Sequence, residues 1–110
     1  MNIVTKKDEK AMIVSLEGRM DALSSPEFEK EMNGLVDKDE TLLVVDCSNL
    51  EYISSSGLRS ILTVAKKLKT RNGRILLASL TDMVKEVFEI SGFSNIIPIH
   101  SSLEDALADL

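Results

Sequence analysis

The chain has 110 residues, 44% of them hydrophobic, and carries a formal net charge of −5. That length and apolar content suit one domain, residues 1–110, around a single core. The negative balance excludes the basic patch that nucleic acid or an anionic membrane surface requires, and no apolar stretch reaches membrane-spanning length. A single cysteine, Cys47, excludes an intramolecular disulfide, so the expected compartment is the cytoplasm.

In chain order, Asn2 to Thr5 and Met12 to Glu17 read as two short strands joined by the polar turn Lys7-Asp8-Glu9-Lys10. Ser25-Pro26-Glu27 is a helix start, and Phe28, Met32, Leu35 and Val36 recur at helical spacing, which predicts a helix from about Pro26 to Val36. The continuous apolar run Leu42 to Val45, ending at Asp46, predicts a central strand covered on both faces. Leu58, Ile61, Leu62, Ala65 and Leu68 mark one face of a second helix, closed by Asn72-Gly73. The basic residues Lys66, Lys67, Lys69, Arg71 and Arg74 fall at its end, where cations complement the helix dipole.

Ile75 to Ala78 predicts a further buried strand. Thr81 then caps a third helix bearing Val84, Val87 and Phe88, and Gly92 ends it. Ile96 to Ile99 is a short last strand, and Leu103, Ala106, Leu107 and Leu110 stripe a C-terminal helix capped by Ser101 or Ser102. The order β-β-α-β-α-β-α-β-α predicts an α/β fold with a mixed, mostly parallel sheet. In open sheets of this kind binding takes place at the C-terminal strand edge, here the loops Gly18 to Ser25, Cys47 to Ser56 and Ser79 to Thr81. That edge offers Asp21, Ser24, Ser25, Tyr52, Arg59 and Thr81 as contact residues.

The densest chemical signal is Ser54-Ser55-Ser56-Gly57, three hydroxyls where strand gives way to helix. The free amides and positive dipole end of a first helical turn favour phosphate, so the run reads either as a phosphoacceptor site or as an ordinary N-cap. Ser56, the last polar residue before Gly57-Leu58-Arg59, is the expected capping residue. Leu50, Tyr52, Ile53 and Leu58 flank the serines and either form an apolar contact patch or belong to the core. Asp21 and Asp46 either meet at the loop edge as paired carboxylates or serve as acceptors for backbone N–H groups.

No catalytic motif is present. The glycines are too dispersed for a phosphate-cradling loop, the serines lack a nucleophile elbow, and one His with one Cys is too few for zinc. His100 is expected at the surface or at a helix start, Cys47 as a small buried residue, and no cofactor is implied.

Two segments carry a family resemblance: Gly18-Arg19-Met20-Asp21, and the fifteen residues from Val44 through Ser54-Ser55-Ser56-Gly57 to Leu58. With the element order, they resemble the anti-sigma factor antagonists, the free-standing members of the STAS domain family. The resemblance implies a STAS-like single domain that is not an enzyme. It further implies a cytoplasmic partner-switching protein that binds an anti-sigma factor with serine kinase activity, frees sigma, and is reset by a serine phosphatase. By position the implied acceptor is Ser55. Family members with a phosphorylated serine often carry Asp immediately before it; here Ser54 stands there and is the second candidate. The other readings are a STAS scaffold subunit of a lipid-transport or stress-signalling complex without phosphorylation, and a loop edge that holds a nucleotide or other anion.

Overall fold

The computed structural model describes all residues, 1–110. Its strands are β1 (Asn2–Lys7), β2 (Met12–Met20), β3 (Leu42–Ile53), β4 (Arg74–Ala78) and β5 (Ile99–His100). The helices are α1 (Ser25–Asp37), α2 (Ser55–Lys69), α3 (Asp82–Ser91) and α4 (Leu103–Ala108), with a short 3-10 turn at Phe93–Asn95. The sheet order is β1-β2-β3-β4-β5, with β1 antiparallel to β2 and the other neighbours parallel, as the alternation of strands and helices requires.

Alternation along the strands assigns each side chain to a face. Val14, Leu16, Leu43, Val45, Cys47 and Leu77 join Phe28 and Met32 of α1, Ile61 and Val64 of α2, and Val84 and Phe88 of α3 in the main core. Val44, Leu76 and Ala78 turn the other way and pack with Ala106 of α4, flanked by Leu103 and Leu107. The helix stripes are thus buried as their spacing predicts.

Three strands depart from expectation, the first being β2, which continues to Met20 instead of ending at Glu17 because Gly18, Arg19 and Met20 pair with β3. β3 runs for 12 residues and reaches Ile53, whereas the apolar run Leu42 to Val45 predicted an end at Asp46. Beyond Asp46 only its β2 neighbour continues, pairing Glu17 with Asn49, Gly18 with Leu50, Arg19 with Tyr52 and Met20 with Ile53 across two register shifts. Ser48, Asn49 and Glu51 are exposed because β4 has already ended, so the segment reads as loop although it is strand. β5 begins at Ile99 rather than Ile96, because the turn at Phe93–Asn95 displaces the chain and Ile97 plugs into the core before pairing begins.

The far end of the chain is tied down by charge. His100, expected at the surface or a helix start, sits half-buried in β5 with Nε2 3.0 Å from Asp109 Oδ2. Arg74 donates to the Asp109 backbone oxygen at 2.9 Å and to its Oδ2 at 3.2 Å. The hydrogen bond from His100, and then the Arg74 contacts, hold the Asp109 carboxyl below its usual range. A depressed folded-state pKa adds stability above the unfolded value of 3.8, lost as pH falls through the lower folded value. Asp109→Asn is therefore expected to lower the urea midpoint at neutral pH and to flatten its acid decline below about pH 4, read from denaturation curves across pH.

Candidate phosphorylation and partner-binding site

The serine run lies where β3 turns into α2. Ser54 has extended backbone, and its Oγ accepts the Gly57 N–H at 3.2 Å, while its own N–H donates to the Met20 carbonyl at 2.9 Å. Ser54 is therefore the N-cap, not Ser56 as the sequence suggested. A capping oxygen reaches the amide three residues on, and Gly57 is that residue from Ser54. Ser56 lies inside the first turn, and its hydroxyl accepts from Arg59 Nη2 at 3.3 Å. Ser55 is the first helical residue and is exposed, with no side-chain hydrogen bond. Of three adjacent hydroxyls, two are engaged and the middle one points to solvent.

Gly57 is held against the sheet. A β-carbon there would fall 2.7 Å from Ile53 Cγ1, 2.9 Å from Met20 Cγ and 3.0 Å from the Met20 carbonyl oxygen. The helix start thus rests on the tips of β2 and β3 through a backbone contact that only glycine permits.

The neighbouring loop is braced from within. Asp21 Oδ1 accepts the N–H groups of Leu23 and Ser24, each at 3.1 Å; the Asp21 N–H donates to Ser24 Oγ at 2.9 Å, and that hydroxyl donates to the Arg19 carbonyl at 2.8 Å. Ser25 Oγ donates to the Asp21 carbonyl. Backbone bonding from Ser24, then the Ser24 hydroxyl, the Leu23 amide and the Arg19 charge, hold the Asp21 carboxyl below its usual range. These bonds leave Leu23 at the loop tip, 91% exposed. Arg19 stacks over the Tyr52 ring with its guanidinium carbon 4.2 Å from the centroid.

The expected contact residues divide accordingly. Asp21, Tyr52, Ser55 and Arg59 are accessible, whereas Ser24, Ser25, Ile53 and Leu58 are buried. Of the two readings of the flanking apolar residues, core holds for Ile53, Leu58 and Leu50, which strand alternation and the α2 stripe turn inward, so they form no surface patch. Leu23 is the exposed apolar residue of this edge, and its only sequence signal is a leucine off the α1 stripe in an otherwise polar loop. Ala22, Ser25, Pro26 and Glu29 of the α1 side face Ser56, Arg59, Ser60 and Thr63 of α2 across a groove of about 360 Å³.

Thr81 lines a different groove, with Ser48, Asn49 and Glu51 on the flank of β3, instead of joining the serine run. It occupies the N-cap position of α3 but makes no side-chain cap, and its buried Oγ1 has no partner. Asp46 is paired with Ser15 and Ala78 in mid-sheet and accepts the Ser48 N–H at 3.0 Å. Asp21 follows the β2 residue opposite Ile53, seven residues beyond Asp46 on β3, so the two carboxylates do not meet. Burial and the Asp46 charge push the Cys47 thiol up to about 12, which leaves it inert. No group of three metal-capable side chains converges.

Against this geometry, the STAS domain family profile matches residues 2–106, and the chain belongs to that family. A Bordetella bronchiseptica protein provisionally named anti-sigma factor antagonist BtrV is 41% identical over 108 residues, covering 98% of this chain and 93% of its own length. Among solved structures, a Thermotoga maritima protein provisionally described as an anti-sigma factor antagonist superposes with a TM-score of 0.92 at 18% identity, covering 97% of this chain and 92% of that one. SpoIIAA, a Bacillus cell fate determinant solved in its phosphorylated form, superposes at 0.76 with 17% identity, covering 98% of each chain. The mixed five-stranded sheet with four helices is thus the STAS fold.

Reassigning the cap makes a test of single hydroxyls. Ser54→Ala is expected to cost about 1 kcal/mol in chemical denaturation, and Ser56→Ala close to nothing. Gly57→Ala, which would stabilise an ordinary exposed helix, is expected to cost about 1–3 kcal/mol here because the new methyl group overpacks the Met20 and Ile53 contact.

Proposed function

We propose that this protein is an anti-sigma factor antagonist that binds an anti-sigma factor with serine kinase activity and thereby frees a sigma factor. In this reading the kinase phosphorylates Ser55, a separate serine phosphatase resets it, and the chain itself catalyses nothing and works in the cytoplasm. The observation that carries the acceptor assignment is the division of labour among the hydroxyls: Ser54 caps the helix, Ser56 is bonded to Arg59, and Ser55 is exposed and unbonded. Ser54, where the family often has Asp, does what Asp would do there, since both are favoured N-caps. The names of the relatives support the partner class.

The switch follows from charge. Unmodified, the edge offers Leu23 as an apolar anchor, Tyr52 with its stacked Arg19, and Arg59 as a cation. A phosphoserine adds a charge of roughly −1.5 to −2 in the middle of that surface, and burying it opposite a group not built for it costs several kcal/mol. At about 1.4 kcal/mol per tenfold in affinity, that is enough to release the partner.

With the cognate anti-sigma factor and Mg-ATP, label is expected on wild type and absent from Ser55→Ala, which keeps its fold and its affinity for the partner. Ser55→Asp, with one charge and fewer acceptor oxygens, is expected to weaken binding less than phosphorylation does. Label that survives Ser55→Ala and disappears only with Ser54→Ala would move the acceptor by one residue. No label on wild type with a kinase shown to be active would favour the non-phosphorylated scaffold reading. Combined substitution of Asp21, Leu23 and Tyr52 is expected to reduce partner binding at least tenfold in a titration; unchanged affinity would put the interface elsewhere.

A further inference from the structure

Arg59 stands out among the four arginines of this chain. Arg71 and Arg74 each pair with a carboxylate and Arg19 stacks on Tyr52, whereas Arg59, on the exposed face of α2, has neither an ion-pair nor an aromatic partner. The carboxylate lining its groove, Glu29, instead accepts the Ser60 hydroxyl at 3.1 Å. Helical side chains lean back toward the N-terminus, and the Arg59 guanidinium accordingly lies over the first turn, 3.3 Å from Ser56 Oγ. Residues four apart share a helix face, which places Ser55 on the same face of α2 as Arg59, one turn back.

We propose that Arg59 is a built-in clamp for phosphoserine 55, exchanging its neutral bond to Ser56 for a charge-assisted one to the phosphate. This rests on the reading of Ser55 as the acceptor and adds how the modified state is held. A guanidinium stays charged at all relevant pH and presents paired donors that match phosphate oxygens, whereas the Ser56 bond it gives up is long and uncharged. The exchange has two effects. It holds the phosphate against the first turn of α2, and it withdraws from the partner-facing surface a cation that the unmodified protein leaves free.

The test separates the clamp from the kinase. Phosphoserine is introduced at position 55 during translation by an expanded genetic code, in the full chain as wild type, Arg59→Gln and Arg59→Lys, and the phosphate is titrated by phosphorus NMR at low salt. A neighbouring cation favours the dianion, so the second phosphate pKa in wild type is expected about half a unit to one unit below that in Arg59→Gln, with Arg59→Lys recovering part of the shift. Raising the salt is expected to narrow the gap. Matching urea midpoints of the unphosphorylated proteins exclude a folding defect as its source. Superimposable titrations of wild type and Arg59→Gln would overturn the clamp while leaving the acceptor assignment standing. Failure of an active cognate kinase to label Ser55 would overturn that assignment instead, and the titration does not depend on it.

Discussion

The seat of α2 on the tips of β2 and β3 is the constraint on which the site depends. At that point the Met20 carbonyl accepts the Ser54 N–H, and Gly57 lies too close to Met20 and Ile53 for any side chain. The contact sets the direction in which α2 leaves the sheet. It also decides which of three chemically equivalent serines caps, which is bonded within the helix and which is free. A shift of one residue in the start of α2 would make Ser55 the cap and engage the hydroxyl that is now free. Which serine is left unbonded is thus a backbone property first and a side-chain property second.

The same contact explains why β2 and β3 outlast the rest of the sheet. Past Asp46 they lose β4 and continue as a pair, roughly 20 Å of extended chain that lifts the helix start beyond the other strand ends. The Asp21 loop, knotted by its own hydrogen bonds, stands beside that tip and presents Leu23 without a flexible segment. A surface held this rigidly loses little entropy when a partner docks, which suits the proposed switch, in which a single added charge breaks the interface.

Legibility in the sequence followed periodicity. Helix faces carrying Phe28 and Met32, Ile61 and Val64, or Val84 and Phe88 were visible because burial on one side leaves a 3.6-residue rhythm. The distal half of β3 was not, because Ser48, Asn49 and Glu51 face solvent once β4 stops, and polar residues in a row read as loop. That one misreading carried the others with it. It left open whether Ile53 is surface or core and whether Asp46 meets Asp21, and it allowed the cap to slide from Ser54 to Ser56. Capping propensity cannot choose among adjacent serines, whereas the hydrogen bond from Ser54 N–H to Met20, 34 residues earlier in the chain, can.

In the proposed switch, the position of Arg59 bears on how a reversible mark on Ser55 stays legible to two opposing enzymes. A kinase needs the Ser55 hydroxyl accessible, and the guanidinium leaves it so by resting on Ser56. In the proposed phosphorylated state, the stronger charge-assisted contact draws the guanidinium one residue back. The two states therefore differ in a side-chain exchange over a single turn, with no change required in the sheet or in the seat of α2. A switch built this way leaves the core undisturbed in both states, and its whole energy difference is available at the surface where the partner binds.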